Sequence, residues 1–163
     1  ALGETKAIII MTDFMTSKQR SQAMSKVRGY NTKPEKRIRS HLHSRGFRFR
    51  INSPNLPGKP DIVLKKHNAI IFVHGCFWHN HKGCKKSKLP GTRNEFWKNK
   101  IEGTVMRDQR NISDLTKQGW RIAVVWECGT KKQDDLGNII KKLSKWIIEG
   151  KSKRIELSVQ KAF

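Results

Sequence analysis

Acidic residues are scarce in this chain. Its 163 residues include 13 Asp and Glu against 35 Lys and Arg, which gives a formal net charge of +22. Long apolar runs are also missing, because no stretch approaches the roughly 18 residues that a membrane-spanning helix needs. The densest apolar run near the N-terminus, Ile8 to Met11, is too short for the apolar part of a signal peptide. We therefore expect a soluble, unsecreted protein with no membrane partner.

Cysteine is the next scarce residue, with Cys76, Cys84 and Cys128 as the three examples. An odd number is unusual for a disulfide-bonded secreted protein of this size. Histidines cluster near two of these cysteines. This combination favours metal binding in a reducing cytosol over disulfide formation.

The positive charge predicts a polyanionic partner. A small domain with this charge repels itself, and nucleic acid would relieve that repulsion. An anionic membrane surface is the alternative partner, but the sequence carries no lipidation motif. The basic stretches Lys33–Arg50 and Lys82–Lys100 are the expected phosphate-binding segments, although charge runs are usually solvated faces.

The length and patterning predict one domain over residues 16–150, preceded by a tag-like or disordered extension (1–15) and followed by a basic tail (151–163). A polar, basic helix is expected from Ser17 to Arg28. Capping boxes at Thr32–Glu35 and Thr92–Glu95 predict the starts of two further helices, ending near Gly46 and Gly119, and a last amphipathic helix is expected from Leu136 to Ile148. Strands are expected at 47–51, 61–64, 69–73 and 120–126. This order predicts an α/β fold with a small mixed central sheet flanked by helices.

A metal-binding motif follows the third strand. Cys76, His81 and Cys84 lie within nine residues, and Cys128 follows a strand that could run beside the first. Three thiolates and one imidazole make a closed tetrahedral zinc site, which would be structural. The alternative is three unrelated cysteines, and the short spacing favours zinc.

Asp61 begins a strand after Pro60, which is the layout of the PD-(D/E)xK nuclease core, where carboxylates hold Mg²⁺. The second carboxylate and the lysine of that pattern are absent, and Val73 and Gly75 stand in their places. The Val73 carbonyl remains available as an oxygen ligand, and oxygen suits Mg²⁺. His74 or His79 could replace the lysine in activating water, or be surface residues. Glu35 has two interpretations, helix cap or carboxylate positioning a metal-bound water.

Phe77 and Trp78 form an aromatic pair in a polar, basic segment, and Trp97 begins a basic helix. Core packing is the default interpretation of aromatic residues. The pair nevertheless looks exposed, because a loop flanked by metal ligands cannot bury everything. Apolar wedges inserted between base pairs are a known device for distorting duplexes.

Several motifs together resemble a known family. They are Pro57–Val63, His74–His79, Thr92–Trp97, Arg107–Asp108, Gly119–Arg121 and Val125–Cys128. They resemble the very short patch repair (Vsr) mismatch endonucleases over roughly residues 17–148. Thr104 stands where that family often has an asparagine facing the mismatch.

The resemblance implies a role for each matching residue. Asp61 and the Val73 carbonyl would bind catalytic Mg²⁺, His79 would activate the attacking water with Asp108 orienting it, and Glu35 and His74 would complete the active site. Cys76, His81, Cys84 and Cys128 would hold structural Zn²⁺. Phe77, Trp78 and Trp97 would wedge into the duplex beside the mismatch, and Met24 would insert from the other groove. The DNA-binding residues would be Lys33, Arg48, Arg50, Lys59, Arg93 and Thr104.

The resemblance also implies the activity and the partners. The protein would be a monomeric DNA repair enzyme in the bacterial cytoplasm, at the nucleoid, that nicks one strand 5′ to the T of a T:G mismatch formed by 5-methylcytosine deamination. Mismatch-repair proteins and a cytosine-5 DNA methyltransferase would be its functional partners. The alternatives are a restriction-type or nicking nuclease of the same fold without mismatch preference, and a catalytically inactive zinc-stabilised DNA-binding module.

Overall fold

A computed structural model describes residues 16, 18–19 and 29–159 of the chain. The predicted extension over 1–15, most of the predicted helix from Ser17 to Arg28, and the proposed intercalating residue Met24 lie outside the described residues. Thr16 and Gln19 exchange side-chain to backbone hydrogen bonds of 3.0 and 3.2 Å, the reciprocal pattern of a capping box.

The described chain folds as a five-stranded mixed sheet with three long helices. In chain order the elements are α1 (Lys33–Ser44), β1 (Arg50–Ile51), β2 (Ile62–Leu64), β3 (Ala69–His74), α2 (Asn94–Lys117), β4 (Arg121–Trp126), α3 (Gln133–Glu149) and β5 (Arg154–Leu157). The strand order is β1-β2-β3-β4-β5, with antiparallel pairing from β1 to β3 and parallel pairing from β3 to β5. The predicted α/β class with a small mixed sheet is confirmed.

The sheet is buried between two helical layers. On one face of the sheet, a hydrophobic core packs against α1 and α3 and includes Ile38, Ile71 and Leu143. On the opposite face, a second hydrophobic core packs against α2 and includes Ile70, Leu115 and Val124. Because both faces are covered, β3 and β4 are continuous apolar runs rather than alternating ones.

The predicted capping box at the start of α1 is confirmed. The Thr32 hydroxyl accepts the Glu35 amide at 3.4 Å, and the Glu35 carboxylate accepts the Thr32 hydroxyl at 3.2 Å and the Asn31 amide at 2.9 Å. The last turn of α1 gives way to Gly46, whose φ of +90° is in the left-handed region. The predicted β2–β3 hairpin is also confirmed, with Asn68 in the left-handed region at its turn.

The predicted second capping box is wrong. Arg93 immediately precedes α2 with a φ of +56°, and no side chain caps that helix. The Asn94 side chain instead donates to the Pro90 carbonyl at 3.4 Å, and the Arg93 guanidinium lies 4.4 Å from the centre of the Phe96 ring. Arg93, and not Thr92, therefore occupies the cap position of α2, after the loop that contains Pro90 and Gly91.

Two strands differ from expectation. Of the predicted strand over 47–51, only Arg50–Ile51 forms a β-strand, and these residues pair with Val63 and Ile62 of β2. Phe47 is buried and Phe49 half-buried, as the alternation predicts, but Ile51 is 45% exposed, so the expected core face does not extend to the end of this strand. The other difference is β5, which was not predicted and lies within the segment expected to be a basic tail. It pairs with β4 at the sheet edge. Among the described helices, none is both long and apolar enough to cross a membrane.

Candidate active site and metal centre

A cavity of about 690 Å³ opens at the sheet edge where β3 and β4 end. The start of α1 and the middle of α2 form its sides, since Glu35 and Asp108 both line it. Parallel strands bring their carboxyl ends to one edge, which places the residues that follow them beside each other. The predicted site residues that line the cavity are Glu35, Lys59, Asp61, Val73, His74, Trp78, His79 and Asp108.

Asp61 lies at the floor of this cavity. It immediately precedes β2, which is antiparallel to β3, so it reaches the same edge as the end of β3. Its carboxylate accepts the Val73 amide hydrogen at 2.6 Å. Burial, and secondarily the nearby Glu35 carboxylate, raise the pKa of Asp61 from 3.8 to about 7.

The helix-cap interpretation of Glu35 is confirmed, and the interpretation as a carboxylate positioning a metal-bound water stays a prediction. Glu35 caps α1, yet its carboxyl group also lines the cavity and acts electrostatically on Asp61. Burial raises the pKa of Glu35 above its ordinary value, partly offset by hydrogen bonds from Asn31 and Thr32. The Glu35 carboxylate disfavours the charge of Asp61, and a divalent cation between the two groups would stabilise both ionised forms. Glu35, Asp61 and the backbone at Val73 therefore fit a hard metal ion such as Mg²⁺.

The two candidate histidines lie together above the end of β3. The rings of His74 and His79 stack with centroids 3.9 Å apart and an interplanar angle of 3°. His79 Nδ1 lies 2.5 Å from a carboxylate oxygen of Asp108 on α2. Burial, followed by the charge of His79, lowers the pKa of His74 well below its usual range, so that ring is neutral.

A second cluster of metal-ligating groups lies beside the cavity. Donor atoms of Cys76, His81, Cys84 and Cys128 lie within 4.8 Å of one another. His81 Nδ1 is 3.4 Å from the Cys76 sulfur and 3.7 Å from the Cys128 sulfur. A tetrahedral zinc ion with ordinary Zn–S and Zn–N bonds would hold such atoms about 3.6 Å apart. The hydrogen bond between the Cys76 and Cys128 thiols lowers the pKa of Cys128 and raises that of Cys76, which favours the thiolate form at Cys128. The four residues form a possible metal site, as their spacing predicts.

The expected exposure of the aromatic pair is wrong for Phe77. Phe77 is 1% exposed, Trp97 is 5% exposed, and both pack with Ile101 in a small third core between the metal loop and α2. Trp78 is half-buried at the edge of this core and also lines the cavity. The loop buries its aromatic residues because α2 supplies an apolar surface that the sequence of the loop alone does not reveal.

Of the predicted DNA-binding residues, Lys59 lines the cavity. The Arg48 guanidinium donates to the carbonyls of His43 and Phe47, at 3.3 and 3.0 Å, which holds it against the end of α1. Thr104 is half-buried and bonds within its own helix, to the Lys100 carbonyl and the Arg107 guanidinium. Exposed basic side chains include Lys33, Arg48, Arg50, Lys59 and Arg93.

Sequence reasoning missed several residues that line the cavity, among them Tyr30, Asn111 and Glu127. Tyr30 precedes α1, Asn111 lies one helical turn beyond Asp108, and Glu127 follows β4. Glu127 is 7% exposed, and its carboxylate accepts the Cys76 amide at 3.3 Å. A carboxylate next to the metal-ligand candidate Cys128 was a usable signal for Glu127, whereas the helical spacing of Asn111 from Asp108 required the site to be known first.

Comparison with known proteins defines the class to which this fold and site belong. The family profile described as DNA mismatch endonuclease Vsr matches residues 12–86. The chain is 41% identical to DNA mismatch endonuclease Vsr of Escherichia coli strain K12, over 90% of this chain and 95% of that protein. It is 49% identical to the type II nicking enzyme V.XorIIP of Xanthomonas oryzae pv. oryzae, over 78% and 90% of the two chains. It is 43% identical to the type II nicking enzyme V.NmeAIP of Neisseria meningitidis serogroup A, over 76% and 87%.

This protein belongs to the Vsr family of DNA mismatch endonucleases. It is a DNA endonuclease, and the resemblance seen in its sequence motifs is confirmed.

Proposed function

We propose that this protein is a Mg²⁺-dependent endonuclease that nicks one strand of duplex DNA 5′ to the T of a T:G mismatch formed by deamination of 5-methylcytosine. The observation that supports the proposal best is one cavity holding a carboxylate pair beside a histidine–aspartate pair. Asp61 and Glu35 supply oxygen ligands there, and His79 is held by Asp108. These are the groups that metal-assisted hydrolysis of a phosphodiester needs.

His79 is the proposed general base. The Asp108 carboxylate accepts the hydrogen of His79 Nδ1, which fixes the tautomer and leaves Nε2 with a free lone pair. Nε2 would take the proton of the attacking water as the new phosphorus–oxygen bond forms and the scissile phosphodiester bond breaks. The parallel ring of His74 at 3.9 Å restricts the rotation of His79, and its own lack of charge avoids repelling the protonated base.

The metal ligands are assigned by donor type. Asp61, the Val73 carbonyl and Glu35, directly or through water, would hold Mg²⁺ at the scissile phosphate, where it would stabilise the negative charge that develops. Cys76, His81, Cys84 and Cys128 would hold Zn²⁺ with no open position, so its role would be structural.

Binding to the mismatch would use the aromatic core and the basic surface. Trp78 already borders the cavity, whereas Phe77 and Trp97 are buried, so insertion into DNA would require this small core to open. We propose Met24 as the residue inserted from the opposite groove. Lys33, Arg48, Arg50, Lys59 and Arg93 would contact phosphates, and Thr104 would lie near the mismatch. The enzyme would act as a monomer on bacterial chromosomal DNA, alongside mismatch-repair proteins and a cytosine-5 methyltransferase.

A strand-resolved nicking assay tests the proposal. It compares a T:G duplex with its T:A counterpart in several flanking sequences, with Mg²⁺ and with chelator. The proposal requires Mg²⁺-dependent nicking of the T strand in the T:G duplex alone. Equal cutting of both duplexes would instead favour a nicking nuclease without mismatch preference. The similarity to type II nicking enzymes is the reason for testing this alternative. Salt-sensitive binding without cutting in any context would favour an inactive DNA-binding module.

A further inference from the structure

Trp126, the last residue of β4, lies between the possible metal centre and the catalytic histidines. Its indole stacks on the imidazole of His81, with centroids 4.2 Å apart and planes 7° from parallel. Its edge meets His74 with centroids 5.4 Å apart at 71°. One side chain thus touches a candidate ligand of the Cys/His cluster and a residue of the catalytic cavity.

These contacts form part of a continuous series of rings. His81 stacks on Trp126, Trp126 meets His74, and His74 stacks on His79, which is hydrogen-bonded to Asp108. Each contact fixes the plane of the next ring, because flat rings in van der Waals contact cannot rotate independently. The orientation of His79 therefore depends on Trp126 as well as on Asp108.

Trp126 is itself held from outside the catalytic segment. It is 7% exposed, and its indole nitrogen donates to the Glu156 carboxylate at 2.6 Å. Glu156 belongs to β5, which runs parallel to β4 at the edge of the sheet. A charge-assisted hydrogen bond of this length fixes the rotation of the indole. The C-terminal strand thereby contributes to the geometry of a cavity that it does not line.

We propose that Trp126, anchored by Glu156, is a positioning residue that transmits the geometry of the Cys/His metal centre to the His74–His79 pair. The role assigned to His79 rests on the proposed function. The metal centre would then affect the rate of strand cleavage as well as stability, through ring contacts rather than through any ligand shared with the cavity.

The test compares Trp126→Phe with Trp126→Leu. Both substitutions remove the indole hydrogen bond and part of the buried indole volume. Phenylalanine keeps a flat ring for His81 and His74, whereas leucine keeps apolar volume without a plane. Misplacement of a catalytic group by about 1 Å can cost roughly 100-fold in rate. We expect single-turnover nicking by the leucine variant to be at least about 10-fold slower than by the phenylalanine variant. DNA affinity without Mg²⁺ and zinc content should be equal in the two.

Rates that are equal in the two variants would overturn the proposal. So would a slow leucine variant that has lost its zinc, because metal loss would then explain the defect. If the leucine variant does not fold, Glu156→Ala against Glu156→Gln decides the same question. Glu156 is exposed, and glutamine retains an oxygen to accept the indole hydrogen. Alanine should slow cleavage and glutamine should not, and equal rates would again contradict the proposal.

A second readout separates this proposal from the proposed function. Imidazole nitrogen and hydrogen NMR signals of His74 and His79 report ring orientation and tautomer without cleavage. These signals should move further from their wild-type positions in the leucine variant than in the phenylalanine variant, because phenylalanine keeps a ring plane although it loses the Glu156 hydrogen bond. If wild-type protein nicks no duplex, the proposed function fails, but the NMR comparison still decides whether Trp126 positions the histidines. Unchanged signals in the leucine variant would refute that role.

Discussion

Asp61 is a proposed metal ligand, and ionisation of its buried carboxyl group lowers the stability of the folded protein. Its carboxyl group is buried beside Glu35, which raises its pKa in the folded protein from 3.8 to about 7. A carboxyl group whose folded pKa exceeds its unfolded pKa favours folding when it is protonated. Its contribution is complete below about pH 4 and is lost as the pH rises towards 7, because the folded state must then hold a buried charge.

We therefore expect Asp61→Asn to stabilise the metal-free protein at pH 8, by on the order of 2 to 4 kcal/mol. The asparagine amide oxygen can still accept the Val73 amide, so the neutral side chain keeps that contact. The gain should shrink towards zero as the pH falls below about 4, where the wild-type group becomes protonated in both states. Urea unfolding of both proteins across this pH range measures the difference.

The same variant tests the metal assignment. Mg²⁺ should raise the unfolding midpoint of the wild type at pH 8 and leave that of Asp61→Asn nearly unchanged. Cleavage should be lost in the variant. A wild type as stable as the variant at pH 8 would show that Asp61 carries no buried charge there, and equal Mg²⁺ effects would exclude it as a ligand.

Asp108 offers a separate prediction, because its proposed role is exerted through the hydrogen bond to His79. Asp108→Asn should allow the wrong tautomer of His79 and slow cleavage by roughly 100- to 10,000-fold. Zinc content should not change, since Asp108 is not part of the Cys/His cluster. Single-turnover kinetics with saturating DNA measure the effect. Asp114→Asn, an exposed change on the same helix, is the matched control, and an equal loss in both variants would contradict the assignment.

The residues predicted best were those linked by local spacing. Cys76, His81 and Cys84 lie close in sequence, so their convergence needed only a short loop. The pairing of His79 with Asp108 spans 29 residues and depends on how α2 packs against the sheet. That pairing came from family resemblance and was not derivable from spacing. The burial of Phe77 depends on the same packing, which is why its expected exposure was wrong.

At the scale of the elements, helix α3 takes the positive charge at its C-terminal end from another element. No basic residue of α3 lies in its last turn. Arg121 at the start of β4 provides that charge from outside, donating to the carbonyls of Trp146 and Ile147 at 2.9 Å and of His67 at 3.0 Å. Its guanidinium also lies 4.4 Å from the centre of the Trp146 ring. One buried side chain thus joins α3, β4 and the β2–β3 turn.

Arg121→Met should destabilise the protein by roughly 2 to 4 kcal/mol, because it leaves three carbonyls without their charged donor. The unfolding midpoint in urea measures the loss. Arg154→Met on β5 is the control, since Arg154 is exposed and such substitutions usually change stability by less than about 0.5 kcal/mol. Equal midpoints for the two variants would show that the carbonyls of α3 find other partners.

Elements were predictable where local patterning coincided with packing. Helices α1 and α3 and strands β3 and β4 have apolar patterns strong enough to identify them from sequence. Strand β5 has no such pattern, because its charged residues Arg154 and Glu156 are typical of an exposed tail. The segment forms a strand because it pairs with β4. The start of α2 depends on the backbone conformation of Arg93, which no side-chain pattern encodes.

At the scale of the whole molecule, the net charge of +22 predicts strongly salt-dependent DNA binding. Each phosphate contact contributes about −0.9 to the slope of log affinity against log salt concentration. A protein with 6 to 10 such contacts loses about 1,000- to 100,000-fold in affinity between 50 and 200 mM salt. The charge alone does not identify the lysines that make these contacts, and the position of Lys59 at the cavity makes it the residue to test.

Lys59 and Lys151 lie at opposite ends of the sheet. Lys59 lines the cavity at the carboxyl ends of β3 and β4. Lys151 follows α3, whose last turn is bonded to Arg121 at the amino end of β4. Both side chains are exposed, and either substitution removes one positive charge. We expect Lys59→Ala to reduce the magnitude of the salt slope by about 1 and Lys151→Ala to leave it unchanged.

Fluorescence anisotropy with a labelled T:G duplex and chelator, over a series of salt concentrations, measures both slopes without cleavage. Because the two variants have the same net charge, a difference between them reports position rather than total charge. Equal slopes would mean that the duplex is attracted by the whole molecule and not held at the cavity edge. A reduced slope in Lys151→Ala alone would place the duplex at the other end of the sheet, out of reach of His79.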